Sequence, residues 1–318
     1  MTNFLVLGAT GFVGRSVCEK LVERSGGADG RIRVATRRFP RARHLQLLPT
    51  VEVACGDIHD DAVLARMLRD TDVVINLVAI LHGSEAEFER VHVRLPERLA
   101  QACLKAGVRR VIHVSALGAA LDAPSKYLRS KARGEAALRA ASLALTVLRP
   151  SVIFGERDRF LNLFASLLTI FPILPLAAAK ARFQPVWVDD VASAIARCVD
   201  DPSTIGLTLE CCGPRVYSLK ELVELAGAWS GSARPVPALP AALGRLQAFV
   251  MELLPGRKLM SRDNIDSMRI ASVASGKLPG LDRLGIETTP LESVAPRYLG
   301  HVSGEKRLEA WRARARRG

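Results

Sequence analysis

Tyr127 and Lys131 lie four positions apart in a stretch, 125–142, whose pattern predicts a helix, so the two side chains share one face. A phenol exchanges protons poorly at neutral pH. A lysine beside it favours the phenolate through charge proximity and makes the phenol a usable proton donor or acceptor. Ser115 ends the preceding predicted strand and can offer a hydroxyl to a developing oxyanion, or instead bond the strand-end backbone. These three are the candidate catalytic residues. A Tyr-x-x-x-Lys spacing occurs often by chance, so its weight depends on its surroundings. No His/Cys/Asp/Glu group has metal-ligand spacing, and no metal is expected.

The substrate of such a pair is indicated by the N-terminus. A short apolar run over 3–7 leads into Gly8-Ala9-Thr10-Gly11-Phe12-Val13-Gly14 and then an amphipathic stretch ending near Arg24. A glycine turn between a strand and a helix suits a dinucleotide pyrophosphate. Gly8 permits the tight turn, Gly11 lets backbone approach the phosphates, and Gly14 lets helix and strand pack closely. The phosphates would sit at the helix N-terminus beside Thr10, Phe12 and Val13, where free N–H groups and the dipole favour anions.

The second predicted strand ends at Thr36 and is followed by Arg37 and Arg38, where a carboxylate for a ribose 2′-hydroxyl would be usual. Guanidinium groups pair with a 2′-phosphate, so NADP(H) is expected ahead of NAD(H), which the site would still admit. Asp57, with Ile58 beside it, is placed to accept from the adenine amino group. Leu77, Val78 and Ala79 are small and apolar enough to pass under the adenosine ribose. Lys131 then has a second task, binding the nicotinamide ribose hydroxyls.

The elements that must position these residues are legible. Apolar runs at 3–7, 31–36, 51–54, 72–79, 109–115, 143–148 and 205–211 read as strands. Helical periodicity fills 60–69, 85–106, 125–142 and the stretch from Asp189 to 200. Strands alternating with helices imply an α/β Rossmann fold, a doubly wound parallel sheet with helices on both faces, with a smaller C-terminal substrate lobe. The expected division is 1–213 for the nucleotide domain with a substrate-side insertion at 151–185, 214–300 for the lobe, and 301–318 for a basic tail. Phe160 to Ala179 carries no charge. Pro172 and Pro175 argue against a membrane span, leaving a buried helix and loop or an exposed apolar lip.

The 318 residues, 49% of them hydrophobic, suffice for one large domain or a domain with an appendage. Charge at 24% and aromatics at 5% place the chain among ordinary globular proteins. No signal peptide is recognisable, so a cytoplasmic protein is expected, with a peripheral contact at the inner membrane if the lip is exposed. Cys18, Cys55, Cys103, Cys198, Cys211 and Cys212 form no Cys-x-x-Cys pair and read as reduced, mostly buried residues. The net charge of +13 fits an anionic partner, but no zinc-finger or RNA-recognition pattern points to nucleic acid. A small hydrophobic molecule is the expected partner.

Gly8 to Gly14, Gly56-Asp57, Tyr127 with Lys131, and Arg149-Pro150-Ser151-Val152-Ile153-Phe154-Gly155 together resemble the extended short-chain dehydrogenase/reductase pattern. Phe88 to Val93, His113 to Ala119, Pro124 to Lys131 and Phe183 to Ala192 are similar to its atypical branch, the bacterial relatives of the complex I alpha subcomplex subunit 9. The resemblance covers roughly 3–215. It implies that Pro150 and Val152 pass near the nicotinamide. Leu117 stands where active epimerases and dehydratases tend to carry Ser or Thr, and His92 where they often carry Asn. Three readings stay open: an oxidoreductase for a hydrophobic or quinone-related substrate, a non-catalytic NADPH-holding accessory protein, and a nucleotide-sugar epimerase or dehydratase.

Overall fold

The computed structural model describes residues 2–27, 30–240, 242–245, 247 and 261–300. The basic run from Lys306 to Arg317 lies outside them.

The strands in chain order are β1 (Phe4–Leu7), β2 (Ile32–Thr36), β3 (Val51–Cys55), β4 (Val73–Asn76), β5 (Arg110–Val114), β6 (Ala144–Pro150), β7 (Ile153–Phe154), β8 (Arg182–Phe183), β9 (Val186–Trp187), β10 (Thr208–Cys211) and β11 (Tyr217–Ser218). Seven form one parallel sheet in the order β10-β6-β5-β4-β1-β2-β3. All four residues of β1 and of β4 are buried, as expected for strands covered on both faces.

Helices α1 (Phe12–Arg24) and α7 (Val188–Asp200) pack together, and α7 also touches β5 and β6. Helices α2 (Asp61–Met67), α4 (Leu95–Ala106) and α5 (Lys126–Ala140) share a core with the sheet; Leu5, Leu7, Leu64, Leu99, Leu138 and Val147 belong to it. The chain order reverses between β1 and β4, the point where open α/β sheets bind ligands beyond their strand ends.

The helix expected over 85–106 is interrupted. A short turn α3 (Glu85–Phe88) runs into a π-helical segment, Glu89–Arg94, before α4. The cause is Pro96. It has no N–H for the carbonyl of His92, so the turn widens, and the Leu95 N–H reaches Arg90 O five residues back. The freed His92 carbonyl lies 1.9 Å from where a Cβ on Gly134 would sit, so α5 can approach only because residue 134 is glycine.

The described residues divide into two compact units. The first holds Met1–Ser151, Val188–Cys212 and Ser272–Thr288. Ser151 Oγ donates to Ser272 O at 2.7 Å, and Glu210 accepts from the Ser275 N–H, tying the late segment to the sheet. The second holds Val152–Trp187, Gly213–Ala271 and the residues from Thr289. Its core gathers Phe154, Phe164 and Leu168 on or before α6 (Leu161–Ile170), Leu222 and Val223 on α8 (Leu219–Trp229), and Leu291.

Candidate functional site

Gly8 has φ +85°, and a Cβ there would lie 3.0 Å from the Leu77 carbonyl carbon and 3.1 Å from the Val78 nitrogen. The two loops at the reversal point therefore meet backbone to backbone. Gly14 is still tighter, since its Cβ would stand 2.4 Å from Ala9 Cα. A Cβ on Gly11 would meet only Gly8 O, at 3.1 Å. Gly11 also caps α1, and among the described residues no side chain bonds the N–H groups of Phe12 and Val13 in that first turn. Backbone donors, open space before them and half-buried Thr10 beside them fit a pyrophosphate.

Thr36 Oγ1 accepts from the Arg38 N–H at 3.2 Å and fixes the turn that throws Arg37 and Arg38 into solvent. Among the described residues no ion pair occupies either guanidinium. The Gly56 N–H donates to Thr36 O, joining the ends of β2 and β3. Asp57 Oδ1 accepts from the His59 N–H, and Arg90 stands 3.7 Å from Oδ2. Ile58 and Val78 lean on the sheet core, and Ala79 is exposed.

Asn76 and His92 hold this loop, and neither was among the expected site residues. Asn76 Oδ1 accepts from the Val78 N–H while its Nδ2 lies 3.2 Å from His113 Nδ1. His92 Nε2 accepts from the Ile80 N–H at 3.0 Å, so the proton of the neutral ring sits on Nδ1 and donates to Ser130 Oγ at 2.8 Å. Ser130 in turn donates to Tyr127 O. Burial and, secondarily, the charge of Lys131 push His92 down to about 3. It is a neutral clamp between the nucleotide loop and α5, packed against Phe88 and Tyr127 at ring separations of 5.5 Å. The sequence signal was a histidine flanked by Val91 and Val93 in a helical stretch.

On α5, capped by Ser125, Lys131 is buried and its Nζ donates to Val114 O at 2.8 Å. Burial lowers its pKa to about 8, and the charge of Glu135 works against that. Glu135, one turn further on, takes Arg149 of β6 in a bidentate pair at 3.0 and 2.6 Å. Tyr127 packs near Ala116, Ala123 and Leu128. Lost hydration raises its pKa to about 12, the opposite of the direction expected from the Lys131 charge. Ser115, next to the carbonyl that Lys131 holds, bonds Leu148 O through its N–H, while its buried Oγ has no partner among the described residues. Leu117 donates its N–H to Pro150 O. Of the expected site residues, Val152 alone belongs to the second unit, against that unit's core.

A family model described as NAD(P)H-binding matches residues 8–165. The mouse protein "NADH dehydrogenase [ubiquinone] 1 alpha subcomplex subunit 9, mitochondrial" is 36% identical over 295 residues, covering 90% of this chain and 77% of that protein. A "Ceramide reductase" of Caulobacter vibrioides is 34% identical over 193 residues, 60% of this chain and 58% of that one. Among solved structures, an NADPH-dependent quinone oxidoreductase of Escherichia coli complexed with NADPH superposes with a TM-score of 0.75 at 20% identity, covering 94% and 99% of the two chains. With its Rossmann sheet and glycine turn, this chain belongs to the NAD(P)H-binding family of the complex I alpha subcomplex subunit 9 proteins, and it shares its fold with a solved nucleoside-diphosphate-sugar epimerase and a dTDP-glucose 4,6-dehydratase.

Proposed function

We propose that this protein binds NADP(H) across the β1–β4 reversal and passes hydride between it and a hydrophobic carbonyl or quinone-related substrate. The glycine turn and first turn of α1 would hold the pyrophosphate, Arg37 and Arg38 the 2′-phosphate, Asp57 the adenine, and Leu77 to Ala79 the ribose beside it. Pro150 and Val152 would border the nicotinamide. When bound, the nicotinamide supplies or accepts the hydride.

The chain's own residues do the rest. Lys131 would orient the nicotinamide ribose while its charge, held next to Val114 O, stabilises negative charge near Tyr127. Tyr127 would give its phenolic proton to the substrate oxygen in reduction and recover it in oxidation. Ser115 Oγ would donate to the same oxygen. The observation that carries this reading is that hydroxyl, buried and unpartnered one residue from the carbonyl Lys131 holds, because a buried hydroxyl left without a bond is costly unless a ligand completes it. The resemblance to a ceramide reductase and to a quinone oxidoreductase supports an apolar substrate.

A second reading, an accessory protein that holds NADPH without turning it over, is favoured by the 36% identity to a respiratory-complex subunit over most of the chain. A sugar-nucleotide epimerase ranks below both, because no cluster in the C-terminal part of the sequence clearly marks a sugar-diphosphate site. Consumption of NADPH with a panel of long-chain ketones, aldehydes and quinones separates them. Oxidation with at least one apolar member supports the oxidoreductase. Tight binding with no oxidation by any member favours the accessory protein.

A further inference from the structure

The uncharged segment Phe160 to Ala179 divides physically into two parts. Leu161, Phe164, Ala165 and Leu168 of α6 are core. The turn at the end of α6 is not, until Leu176 and Ala179 return to the core. Ile170 is 71% exposed, Phe171 47% and Ile173 53%, and Pro172 and Pro175 are exposed as well. The two prolines end the helix and keep the chain extended.

Backbone bonds brace this apex. Leu174 N donates to Pro235 O, Leu176 N to Pro237 O, and Leu239 N back to Leu176 O, while the Leu176 side chain is buried. The apolar side chains are thus held out in water by a braced backbone, at the cost of their hydration.

Exposed cations flank the apex along the chain. Arg234, exposed, precedes the proline whose carbonyl holds Leu174. Lys180 and Arg182 follow on the far side, and Arg157 and Arg159 sit at the other end of α6, about 15 Å away for ten helical residues. All are exposed, and none is ion-paired among the described residues. Glu156 is the exposed acid among them, while Asp158 is buried and accepts from backbone N–H groups and Tyr298.

We propose that this apex is a peripheral docking point for an anionic phospholipid surface. Ile170, Phe171 and Ile173 would enter the headgroup–acyl boundary while the cations pair with headgroup phosphates. Three or four apolar residues are far fewer than the 20–30 per side that a stable protein interface uses. A net charge of +13 also repels a second copy while drawing the chain to an anionic surface. Among the described residues no helix is long and apolar enough to cross a membrane, so the contact is superficial and reversible.

The test is co-sedimentation of the full chain with vesicles of phosphatidylcholine alone or with phosphatidylglycerol added, at low and high salt. The expected result is binding to the anionic vesicles that salt weakens. Phe171→Ser with Ile173→Ser should lower the partition coefficient at least tenfold, and Arg234→Gln about fivefold. Unchanged thermal melting and NADPH affinity show that the variants fold. As a second readout that leaves the apex apolar, Phe171→Trp should add blue-shifted emission on anionic vesicles only. Three results overturn the proposal: no binding of the wild type, binding that the double serine variant retains in full, or an apex-dependent dimer without vesicle binding. NADPH oxidation is measured apart from sedimentation, so failure of the proposed chemistry is distinguishable from failure of the docking point.

Discussion

Replacing Gly14 by Ala and Gly11 by Val should damage different properties, although the residues sit three apart in one turn. At position 14 the new Cβ would stand 2.4 Å from Ala9 Cα and from Ala9 O, against about 3.5–4.0 Å for a relaxed carbon contact. Backbone, not a flexible side chain, must therefore move by about 1 Å. Overpacking of this kind costs about 1–3 kcal/mol, and the upper end applies where the neighbour cannot rotate away. The helical preference for Ala over Gly returns about 1 kcal/mol. The net is about 2 kcal/mol, or roughly 4–8 °C in Tm for a unit of this size. At position 11 φ is −82°, open to any residue, and the first carbon meets only Gly8 O at 3.1 Å. Gly11→Val should therefore melt within a few degrees of wild type. Its side chain would fill the space before the first turn of α1 and part the phosphate from at least one N–H. A hydrogen bond to a charged group is worth about 1.5–3 kcal/mol, so affinity should fall by about ten- to a hundredfold. Differential scanning calorimetry and isothermal titration with NADPH read the two effects separately. Wild-type affinity in Gly11→Val, or an unchanged Tm in Gly14→Ala, would refute the assignment of the two glycines.

Three further outcomes are expected. Arg37→Ala with Arg38→Ala should weaken NADPH and leave NADH almost unchanged in parallel titrations; equal wild-type affinities for the two would remove the basis for the preference. His92, held near 3, and His113, lowered well below 6.5 by complete burial, are protonated in the unfolded chain before the folded one. Stability should therefore fall as pH drops from 6.5 towards 3, and His92→Gln should flatten part of that slope in urea titrations taken at several pH values. Arg149→Met strands the buried Glu135 carboxylate and should cost about 3–5 kcal/mol in denaturant midpoint analysis, whereas Arg149→Met with Glu135→Leu should recover most of it.

The sheet was legible because strands buried on both faces, such as Phe4–Leu7 and Val73–Asn76, read as unbroken apolar runs between turn signals. The glycine turn was legible because backbone geometry dictates its residue types. What the sequence hid is long-range. Pro96 lies inside the helical pattern over 85–106, and its missing N–H acts one turn earlier, where the freed His92 carbonyl meets Gly134. The clamp from Ile80 through His92 to Ser130 joins residues up to 50 positions apart, and no local period announces it. The direction of the Tyr127 shift was hidden for the same reason, since spacing reveals the neighbouring lysine but not the depth of burial. The apolar segment after Pro150 offered core and lip as alternatives, and it is both in turn, because Pro172 stops α6 while its buried face still points inward.

The most direct test of the central claim is single-turnover oxidation of bound NADPH by an apolar carbonyl, compared between wild type and Tyr127→Phe in a stopped-flow fluorimeter. The account predicts oxidation by the wild type, a rate at least about a hundredfold lower in the variant, and the same NADPH affinity in both. NADPH that stays reduced in the wild type with every carbonyl and quinone offered, or equal rates in the two proteins, would contradict it.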